Sequence, residues 1–328
     1  MRSYGVNVDK APVITILHGG RPPEPGALAR VAERAELRWT DAAGLPAALP
    51  GTDVLFVLDF GTDALPAAWP RENPPRWVHM GSTGVDAAMF PALISSDVVV
   101  TNTRGVFDAA IAEYVLGQII GFAKDFGGAL LRQHRREWEH RETERVAGAS
   151  VLIVGTGGIG RAIARLLRAV GMRVSAIGRR ERTGDPDFGT VGTDLRAELP
   201  HADYVVAVAP LTERTRHLFD AAAFAAMKPH ARFVNVGRGE LVVTGALVDA
   251  LRTGAIAGAA LDVVDPEPLP AEHPLWTLPG VRITPHNSGD WVGWSGAILS
   301  AFADNFDNWV AGRPLRNVVD KQLGYVPG

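Results

Sequence analysis

The sequence predicts an α/β protein made of two doubly wound parallel-sheet domains. Short apolar runs alternate with helix-compatible segments over most of the chain, which is typical of parallel strands joined by crossover helices. The chain has 328 residues, more than one ordinary compact domain holds, and 47% of them are hydrophobic. The alternation is interrupted by a long helix and a charged run and then resumes, so the strands fall into two sheets.

The first hundred residues contain the strands of the first predicted sheet. These apolar runs are residues 13–17, 54–58, 77–80 and 98–101. A helix is compatible with residues 27–35, and the proline-rich stretches at 22–25 and 74–75 are predicted to be loops. A long helix is predicted over residues 108–126, with Asp108 as its N-cap. The mixed-charge run at 132–145 is predicted to be a solvated helix.

The second predicted sheet begins at Val151. Its strands are residues 151–154, 174–177, 204–208, 232–236, 258–263 and 281–284. The last helix carries an apolar stripe at helical spacing: Trp294, Ile298, Phe302, Phe306 and Trp309. Because the first domain lacks a closing helix, we expect this tail to return to it. The predicted domains are therefore 1–102 with 292–328, and an inserted domain at 103–291.

A glycine motif follows the first predicted strand of the inserted domain. Gly155, Gly157 and Gly160 follow an apolar strand and precede an amphipathic helix, with G-x-G-x-x-G spacing. The first glycine allows a tight turn, the second a close approach to a pyrophosphate, and the third close helix–strand packing. The motif predicts a Rossmann nucleotide-binding domain inserted into a flavodoxin-like substrate domain. The predicted cofactor contacts in this loop are Gly155, Thr156, Gly157, Gly158, Ile159 and Gly160.

Two arginines follow the next strand of this domain. A site that prefers NAD usually has an acidic residue there for the ribose hydroxyls, whereas this chain has Arg179 and Arg180. Guanidinium groups can bind a 2′-phosphate bidentately. We therefore predict that NADP(H) is the preferred cofactor, with NAD(H) also possible. The alternative is that both arginines are solvated loop charges.

Composition excludes several classes of function. The formal net charge is −3, which argues against nucleic acid or an anionic membrane as the main partner. The chain has no cysteine, which excludes disulfides, thiolate metal sites and cysteine nucleophiles, and we predict no metal site. The longest apolar stretch, residues 111–123, is too short for a membrane span, and no signal-peptide pattern is visible. We expect a soluble, cytoplasmic protein.

Three polar residues follow strands of the second sheet, at the edge where open α/β sheets bind ligands. They are Arg238, Glu267 and His286, and each alone could be structural. Together they provide what hydride transfer to a 2-keto acid needs. An arginine can hold the carboxylate and carbonyl oxygens, a histidine can protonate the alkoxide, and a carboxylate can fix the histidine tautomer.

Several motifs together resemble the D-isomer-specific 2-hydroxyacid dehydrogenase family. They occur in family order at 81–86, 101–105, 111–114, 155–160, 210–212, 235–239, 261–263, 267–268, 274–276 and 284–286. Before residue 75 only the architecture is similar. The resemblance implies that Arg238 binds substrate, that Glu267 pairs with the histidine, and that His286 donates and accepts the proton.

The resemblance also implies a substrate-binding loop. Backbone N–H groups around Ser82, Thr83 and Gly84 would hold the substrate carboxylate, the alternative being an ordinary tight turn. Trp291 departs from the family pattern; it either forms a wall of the substrate pocket or begins the buried stripe of the last helix.

The remaining implied contacts are to the cofactor. Pro210 and Val236 would line its path, and Asp262 would contact the nicotinamide amide. The alternative for Asp262 is a capped strand end.

These expectations combine into an NADP(H)-preferring reductase of small 2-keto acids, of glyoxylate or hydroxypyruvate type, whose domain cleft closes to exclude water. One alternative is an NAD-dependent D-3-phosphoglycerate dehydrogenase or another D-2-hydroxyacid dehydrogenase, with a basic cluster near Arg104 or Arg21 for the phosphate in the phosphoglycerate case. The other is a dinucleotide-sensing, corepressor-like binding protein. By family analogy the apolar helix at 111–122 indicates a homodimer.

Overall fold

The computed structural model describes residues 10–20, 26–59 and 61–327, which form two compact units. The first unit is Met1–Phe107 with Trp291–Gly328, and the second is Asp108–Asp290. Arg21 and the predicted loop at 22–25 lie outside the described residues. Two independent doubly wound sheets are present, so the predicted fold class is confirmed.

The boundary between the units lies a few residues beyond the predicted position of 102/103. Residues 103–105 are tied to the first unit, since Thr103 N donates to Ser82 O over 3.1 Å and Asn317 Nδ2 donates to Arg104 O over 2.9 Å. At the other boundary, Trp291 belongs to the first unit rather than to the inserted one.

The sheet of the first unit has five parallel strands in the order β2-β1-β3-β4-β5, the flavodoxin-like order. They are β1 (Val13–Leu17), β2 (Glu36–Thr40), β3 (Val54–Val57), β4 (Trp77–Met80) and β5 (Val99–Thr101). Its helices are α1 (Ala29–Ala32), α2 (Leu45–Ala48), α3 (Leu65–Ala68) and α4 (Pro91–Ile94), and α11 (Trp294–Val310) comes from the tail.

Strand β2 was not predicted from the sequence. It is an edge strand whose residues are mostly exposed or half-buried, so it lacks the apolar run that marks the other four strands. The predicted helix over 27–35 is shorter than expected, since α1 forms a single turn.

The predicted stripe on α11 packs on the sheet of its own unit. Ile298, Phe302, Phe306 and Trp309 are all buried. The Phe302 ring stacks on Phe56 of β3, with centroids 4.1 Å apart, and on Trp77 of β4 at 5.4 Å. The tail therefore closes the core of the first unit.

The sheet of the second unit has eight strands in the order β13-β12-β11-β10-β6-β7-β9-β8, and all its pairs are parallel except β8 with β9. The strands are β6 (Ser150–Val154), β7 (Arg173–Ile177), β8 (Arg182–Asp185), β9 (Gly189–Gly192), β10 (Tyr204–Ala207), β11 (Arg232–Asn235), β12 (Gly258–Leu261) and β13 (Val281–Ile283). The helices are α5 (Asp108–Ala123), α6 (Phe126–Arg135), α7 (Gly158–Ala169), α8 (Leu195–Glu198), α9 (Ala221–Ala225) and α10 (Thr244–Thr253). Short 3₁₀ turns complete the two units.

The second unit differs from the sequence prediction in two places. The solvated helix expected over 132–145 ends at Arg135, because Arg136 takes a left-handed conformation with φ 59° and no helix continues over residues 137–145. The hairpin of β8 and β9 was not predicted. Its strands are short, glycine-containing and polar, so they carry no apolar alternation.

Among the described residues, no helix combines the length and the apolar character that a membrane span requires.

Candidate active site

The glycine motif forms the turn from β6 into α7. Gly155 has φ 128°, a conformation that side chains rarely adopt. A Cβ on Gly160 would lie 2.1 Å from Gly155 O, so only glycine lets the helix pack this closely. A Cβ on Gly157 would meet no heavy atom within 4 Å, so the backbone there borders open space at the helix N-terminus. The turn therefore fits a pyrophosphate.

The other predicted cofactor residues of this loop lie around the same turn. Gly158 and Ile159 form the first turn of α7, and Gly158 lies against the carboxyl group of Asp108. Thr156 lies beside Gly178, where a Cβ would be 3.0 Å from Thr156 Oγ1. The residues just after β7 thus run close to the glycine motif.

Arg179 and Arg180 follow Gly178 and are both exposed. Pro210 and Val236 follow β10 and β11 at the carboxyl edge of the same sheet. Pro210 is exposed and Val236 is buried. All four therefore lie past the carboxyl ends of the strands, where ligands bind in open α/β sheets.

His286 and Glu267 form a hydrogen-bonded pair past the ends of β13 and β12. His286 Nδ1 donates to Glu267 Oε1 over 2.7 Å, and the two side chains are 37% and 41% exposed. Burial raises the pKa of the Glu267 carboxyl. The hydrogen bond and charge of His286, a backbone N–H and the charge of Arg238 lower that pKa, and together they outweigh the effect of burial. The net pKa lies below the ordinary value, so Glu267 is the ionised partner of the pair.

Arg238 lies near this pair, and its positive charge lowers the pKa of the Glu267 carboxyl. It follows β11, where Asn235 fixes the turn. Asn235 Nδ2 donates to Arg238 O over 2.9 Å, and Gly237 N donates to Asn235 Oδ1 over 3.1 Å. The structure therefore brings Arg238, Glu267 and His286 to one edge of the sheet.

Asp262 holds the loop that carries His286. Its carboxylate is buried and accepts hydrogen bonds from Asn287 N and Ser288 N, both over 3.0 Å, and from Thr284 Oγ1 over 2.6 Å. The His286 N–H donates to Asp262 O over 2.9 Å. Asp262 is thus a positioning residue for the histidine, and its contact with the nicotinamide amide stays a prediction.

Sequence reasoning missed the supporting partners of this loop. Tyr114 and Thr284 share a hydrogen bond of 2.7 Å between their hydroxyl oxygens, and burial raises the pKa of Tyr114 to about 12. Both residues lie in motifs that resemble the family, at 111–114 and 284–286, but the sequence assigned neither of them a role. The sequence did carry a signal for Asn235, because an asparagine at a strand end, two residues before a glycine, is typical of a turn cap.

The predicted substrate loop belongs to the first unit, after β4. Three acceptors of the loop are occupied: Ser82 O accepts from Thr103 N, Thr83 O from Asn102 Nδ2 over 2.6 Å, and Gly84 O from Ser82 Oγ over 2.6 Å. Within the described part of the chain, Thr83 Oγ1 is buried without a hydrogen-bond partner. The loop is therefore held by its carbonyl groups.

Trp291 and Arg104 also lie in the first unit. The Trp291 ring is 37% exposed and meets Phe107 edge to face, with centroids 6.1 Å apart. It precedes α11 and is not part of the buried stripe. Arg104 Nη1 donates to Val326 O and Pro327 O over 3.3 and 3.0 Å, so this arginine ties the tail in place.

Across residues 10–20, 26–59 and 61–327, no cluster of three histidine, aspartate or glutamate side chains could hold a metal ion.

Comparison with known proteins identifies the family. Residues 116–288 match the profile of the D-isomer specific 2-hydroxyacid dehydrogenase, NAD binding domain. The glyoxylate/hydroxypyruvate reductase B of Citrobacter koseri is 33% identical over 267 residues, which cover 79% of this chain and 82% of the relative. The glyoxylate reductase of Aeropyrum pernix is 34% identical over 236 residues, covering 69% of this chain and 70% of the relative.

Solved structures agree with this assignment. The NADPH-dependent glyoxylate/hydroxypyruvate reductase of Sinorhizobium meliloti, crystallised with NADP and sulfate, matches 96% of this chain and 100% of its own, with a TM-score of 0.80 and 28% identity. A D-isomer specific 2-hydroxyacid dehydrogenase from Xanthobacter autotrophicus, in complex with NADPH and MES, matches with a TM-score of 0.80 and 28% identity over 95% of this chain and 99% of its own. The chain therefore belongs to the D-isomer-specific 2-hydroxyacid dehydrogenase family and is an NAD(P)-dependent dehydrogenase.

Proposed function

We propose that the protein is an NADP(H)-preferring reductase of small 2-keto acids, of glyoxylate or hydroxypyruvate type. The product is the D-2-hydroxy acid where it is chiral. The observation that carries the proposal is the His286–Glu267 pair, held at 2.7 Å on the same sheet edge as Arg238. The chain's similarity to a glyoxylate reductase and to a glyoxylate/hydroxypyruvate reductase supports the substrate class.

The turn between β6 and α7 would hold the pyrophosphate of the cofactor, and Arg179 and Arg180 its 2′-phosphate. Pro210 and Val236 would line the remaining path. When bound, the reduced nicotinamide supplies the hydride that reduces the keto carbon. Two neighbours with NADP or NADPH in their structures support this choice of cofactor.

The chain's own residues would bind the substrate and move the proton. Arg238 binds the negatively charged keto acid, and the backbone N–H groups at Ser82–Gly84 stay a predicted anion-binding loop of the first unit. Because Nδ1 of His286 is bonded to Glu267, the proton leaves from Nε2 to the carbonyl oxygen as it becomes an alkoxide. Glu267 stays ionised and stabilises the imidazolium before transfer. In the reverse direction the neutral imidazole accepts the hydroxyl proton.

A substrate panel tests this function. We expect NADPH absorbance to fall with glyoxylate and hydroxypyruvate, more slowly with larger 2-keto acids, and more slowly when NADH replaces NADPH. A preference for phosphohydroxypyruvate with NADH would indicate a phosphoglycerate dehydrogenase instead. Tight NADPH binding with no turnover of any keto acid would indicate a dinucleotide-sensing protein.

Replacing Arg179 by aspartate should move the cofactor preference toward NADH. The new carboxylate repels a 2′-phosphate and can accept hydrogen bonds from ribose hydroxyls, so we expect the NADPH/NADH ratio of kcat/KM to fall by about tenfold or more. Arg173→Asp is the matched control, because Arg173 is exposed at the opposite end of β7. An unchanged ratio in Arg179→Asp would make Arg179 a solvated loop charge.

The homodimer is also part of this proposal, although on a different helix from the one expected. Most large apolar residues of α5 are buried within its own unit, where the helix packs on α7, and Leu116 and Ile120 are half-buried. Large apolar side chains are instead exposed on and after α6: Phe126, Leu130, Leu131 and Trp138. Exposed apolar groups grouped in this way are typical of a protein interface.

Light scattering after gel filtration tests the dimer. We expect the mass of two chains for the wild type and of one chain for Leu130→Asp combined with Leu131→Asp, because burying two carboxylates in an apolar interface is unfavourable. Gln133→Asp, at an exposed position on the same helix, should stay dimeric. A single-chain mass for the wild type would refute the dimer.

A further inference from the structure

The hairpin of β8 and β9 follows Arg179 and Arg180 directly and is tied to helix α7 by four charged residues. Arg161 donates from Nη1 and Nη2 to the two oxygens of Asp185, over 3.0 and 3.1 Å. Arg165 donates from Nε and Nη2 to the two oxygens of Asp187, over 2.6 and 3.1 Å. Arg161 also reaches Asp187 over 2.7 Å. We call Arg161, Arg165, Asp185 and Asp187 the hairpin clamp.

The carboxylates of the clamp are more buried than those of a typical surface ion pair. The Asp185 and Asp187 side chains are only 4% and 9% exposed, and both pairs with arginine are bidentate. Asp185 also accepts from the N–H groups of Asp187 and Phe188. The Arg161 guanidinium lies over the buried Phe188 ring, 5.2 Å from its centroid. Such geometry fixes the hairpin on α7.

The residues between β7 and the hairpin are fixed at both ends. On one side, Gly178 N donates to Gly192 O over 2.9 Å, and Gly155 N donates to Ile177 O over 3.0 Å, which ties the end of β7 to the glycine motif. On the other side, the clamp holds the hairpin to α7, the helix that starts within the glycine motif. Arg179 and Arg180 span this short interval. The clamp therefore fixes one of the two ends that set the distance of these arginines from the glycine turn.

The clamp also controls where two negative charges point. The hydrogen bond from Arg161 holds the pKa of Asp185 down at about 2, and Arg165 lowers the pKa of Asp187, so both carboxylates are charged at any working pH. A free carboxylate beside a 2′-phosphate would repel it. In the structure both carboxylates are paired with arginines of α7, and Asp185 also lies 3.3 Å from Arg182 Nε of β8.

From this arrangement we propose that the hairpin clamp determines the discrimination between NADPH and NADH. It positions Arg179 and Arg180 for the 2′-phosphate and keeps Asp185 and Asp187 from repelling that group. The inference rests on the proposed NADP(H) preference. Its four members act through the two arginines of the loop and are positioning residues.

Calorimetry with cofactor fragments tests the clamp without relying on turnover. Adenosine 2′,5′-bisphosphate and AMP differ by the one phosphate in question. In Arg161→Gln, which removes the bidentate, charge-assisted contact between α7 and Asp185, we expect the Kd of the bisphosphate to rise about tenfold and that of AMP less than about twofold.

Arg196→Gln is the matched control, since it breaks an arginine–aspartate pair with Asp220 elsewhere in the same unit. It should leave both fragments unaffected. Adding Asp185→Asn to Arg161→Gln removes the negative charge of Asp185, and we expect part of the bisphosphate affinity to return. Equal losses for both fragments, or no loss for either, would reduce the clamp to a structural tie.

The outcomes separate this inference from the proposal on which it rests. If wild-type protein binds the bisphosphate no more tightly than AMP, the NADP(H) preference fails and the clamp proposal fails with it. If wild-type protein prefers the bisphosphate and Arg179→Asp abolishes that preference while Arg161→Gln leaves it intact, only the clamp proposal is overturned.

Discussion

Replacing His286 by asparagine should lower kcat for keto-acid reduction by about 10²–10⁴-fold while leaving NADPH affinity within about twofold of the wild type. In the proposed mechanism the imidazole is the proton donor, and an asparagine amide cannot replace it as a general acid. Asparagine is the suitable replacement because residue 286 has φ 52°, a left-handed conformation that asparagine tolerates better than alanine. Single-turnover absorbance and NADPH fluorescence titration measure the two quantities.

His217→Asn provides a matched control for this substitution. His217 is an exposed histidine of the same unit with φ 56°, so the same side-chain change is made on nearly the same backbone. Its kcat should stay at the wild-type level. Near-normal turnover by His286→Asn would remove His286 from the mechanism.

Glu267→Gln gives a complementary pH readout on the same pair. Because the pKa of Glu267 is lowered, its stabilising charge is present above the ordinary carboxyl range and is lost only at more acidic pH. Glutamine removes that charge at every pH. We expect the alkaline limit of the reduction rate to move to lower pH, since the imidazolium loses its neighbouring anion.

Replacing Arg238 by glutamine should lower kcat/KM for the keto acid by about 10²–10³-fold, because it removes the half-buried guanidinium that we propose binds the keto acid and stabilises its developing negative charge. Arg238→Lys keeps the charge but loses the planar pair of donors, so we expect it to recover only part of the loss. Steady-state kinetics over a range of keto-acid concentrations separates the effect on KM from that on kcat.

Two controls define the meaning of the Arg238 result. Arg214→Gln changes an exposed arginine of the same unit and should be kinetically silent. NADPH affinity should be unchanged in Arg238→Gln, since the proposed ligand of Arg238 is the substrate. A loss confined to NADPH binding would instead assign Arg238 to the cofactor.

The parts of the site that the sequence predicted are those determined by short-range chemistry. The turn at Gly155–Gly160 follows from a strand, a helix and glycine spacing, all within one stretch of chain. Arg238, Glu267 and His286 each follow an apolar strand, and parallel strands bring their carboxyl ends to one edge of a sheet. Their convergence could therefore be predicted without knowing any distance.

The parts that could not be predicted depend on pairings between distant residues or on weak local patterns. The role of Asp262 required knowing that the loop after β13 returns to it, because its partners are 22 to 26 residues away. The ion pairs of Asp185 and Asp187 with α7 were invisible in a polar, glycine-containing hairpin. Strand β2 was missed because an edge strand need not be apolar.

The order of the elements along the chain has a consequence for biosynthesis. Phe302, which covers Phe56 and Trp77, leaves the ribosome only after the entire inserted unit has been made. At ~5–20 residues per second, the 224 residues between Trp77 and Phe302 take about 11–45 s to synthesise. During that interval these aromatic rings lack their final cover, whereas the nucleotide-binding unit is already a continuous stretch of nascent chain. The inserted unit can therefore complete its core first, and the N-terminal sheet is the part of the newborn polypeptide with most need of chaperone protection.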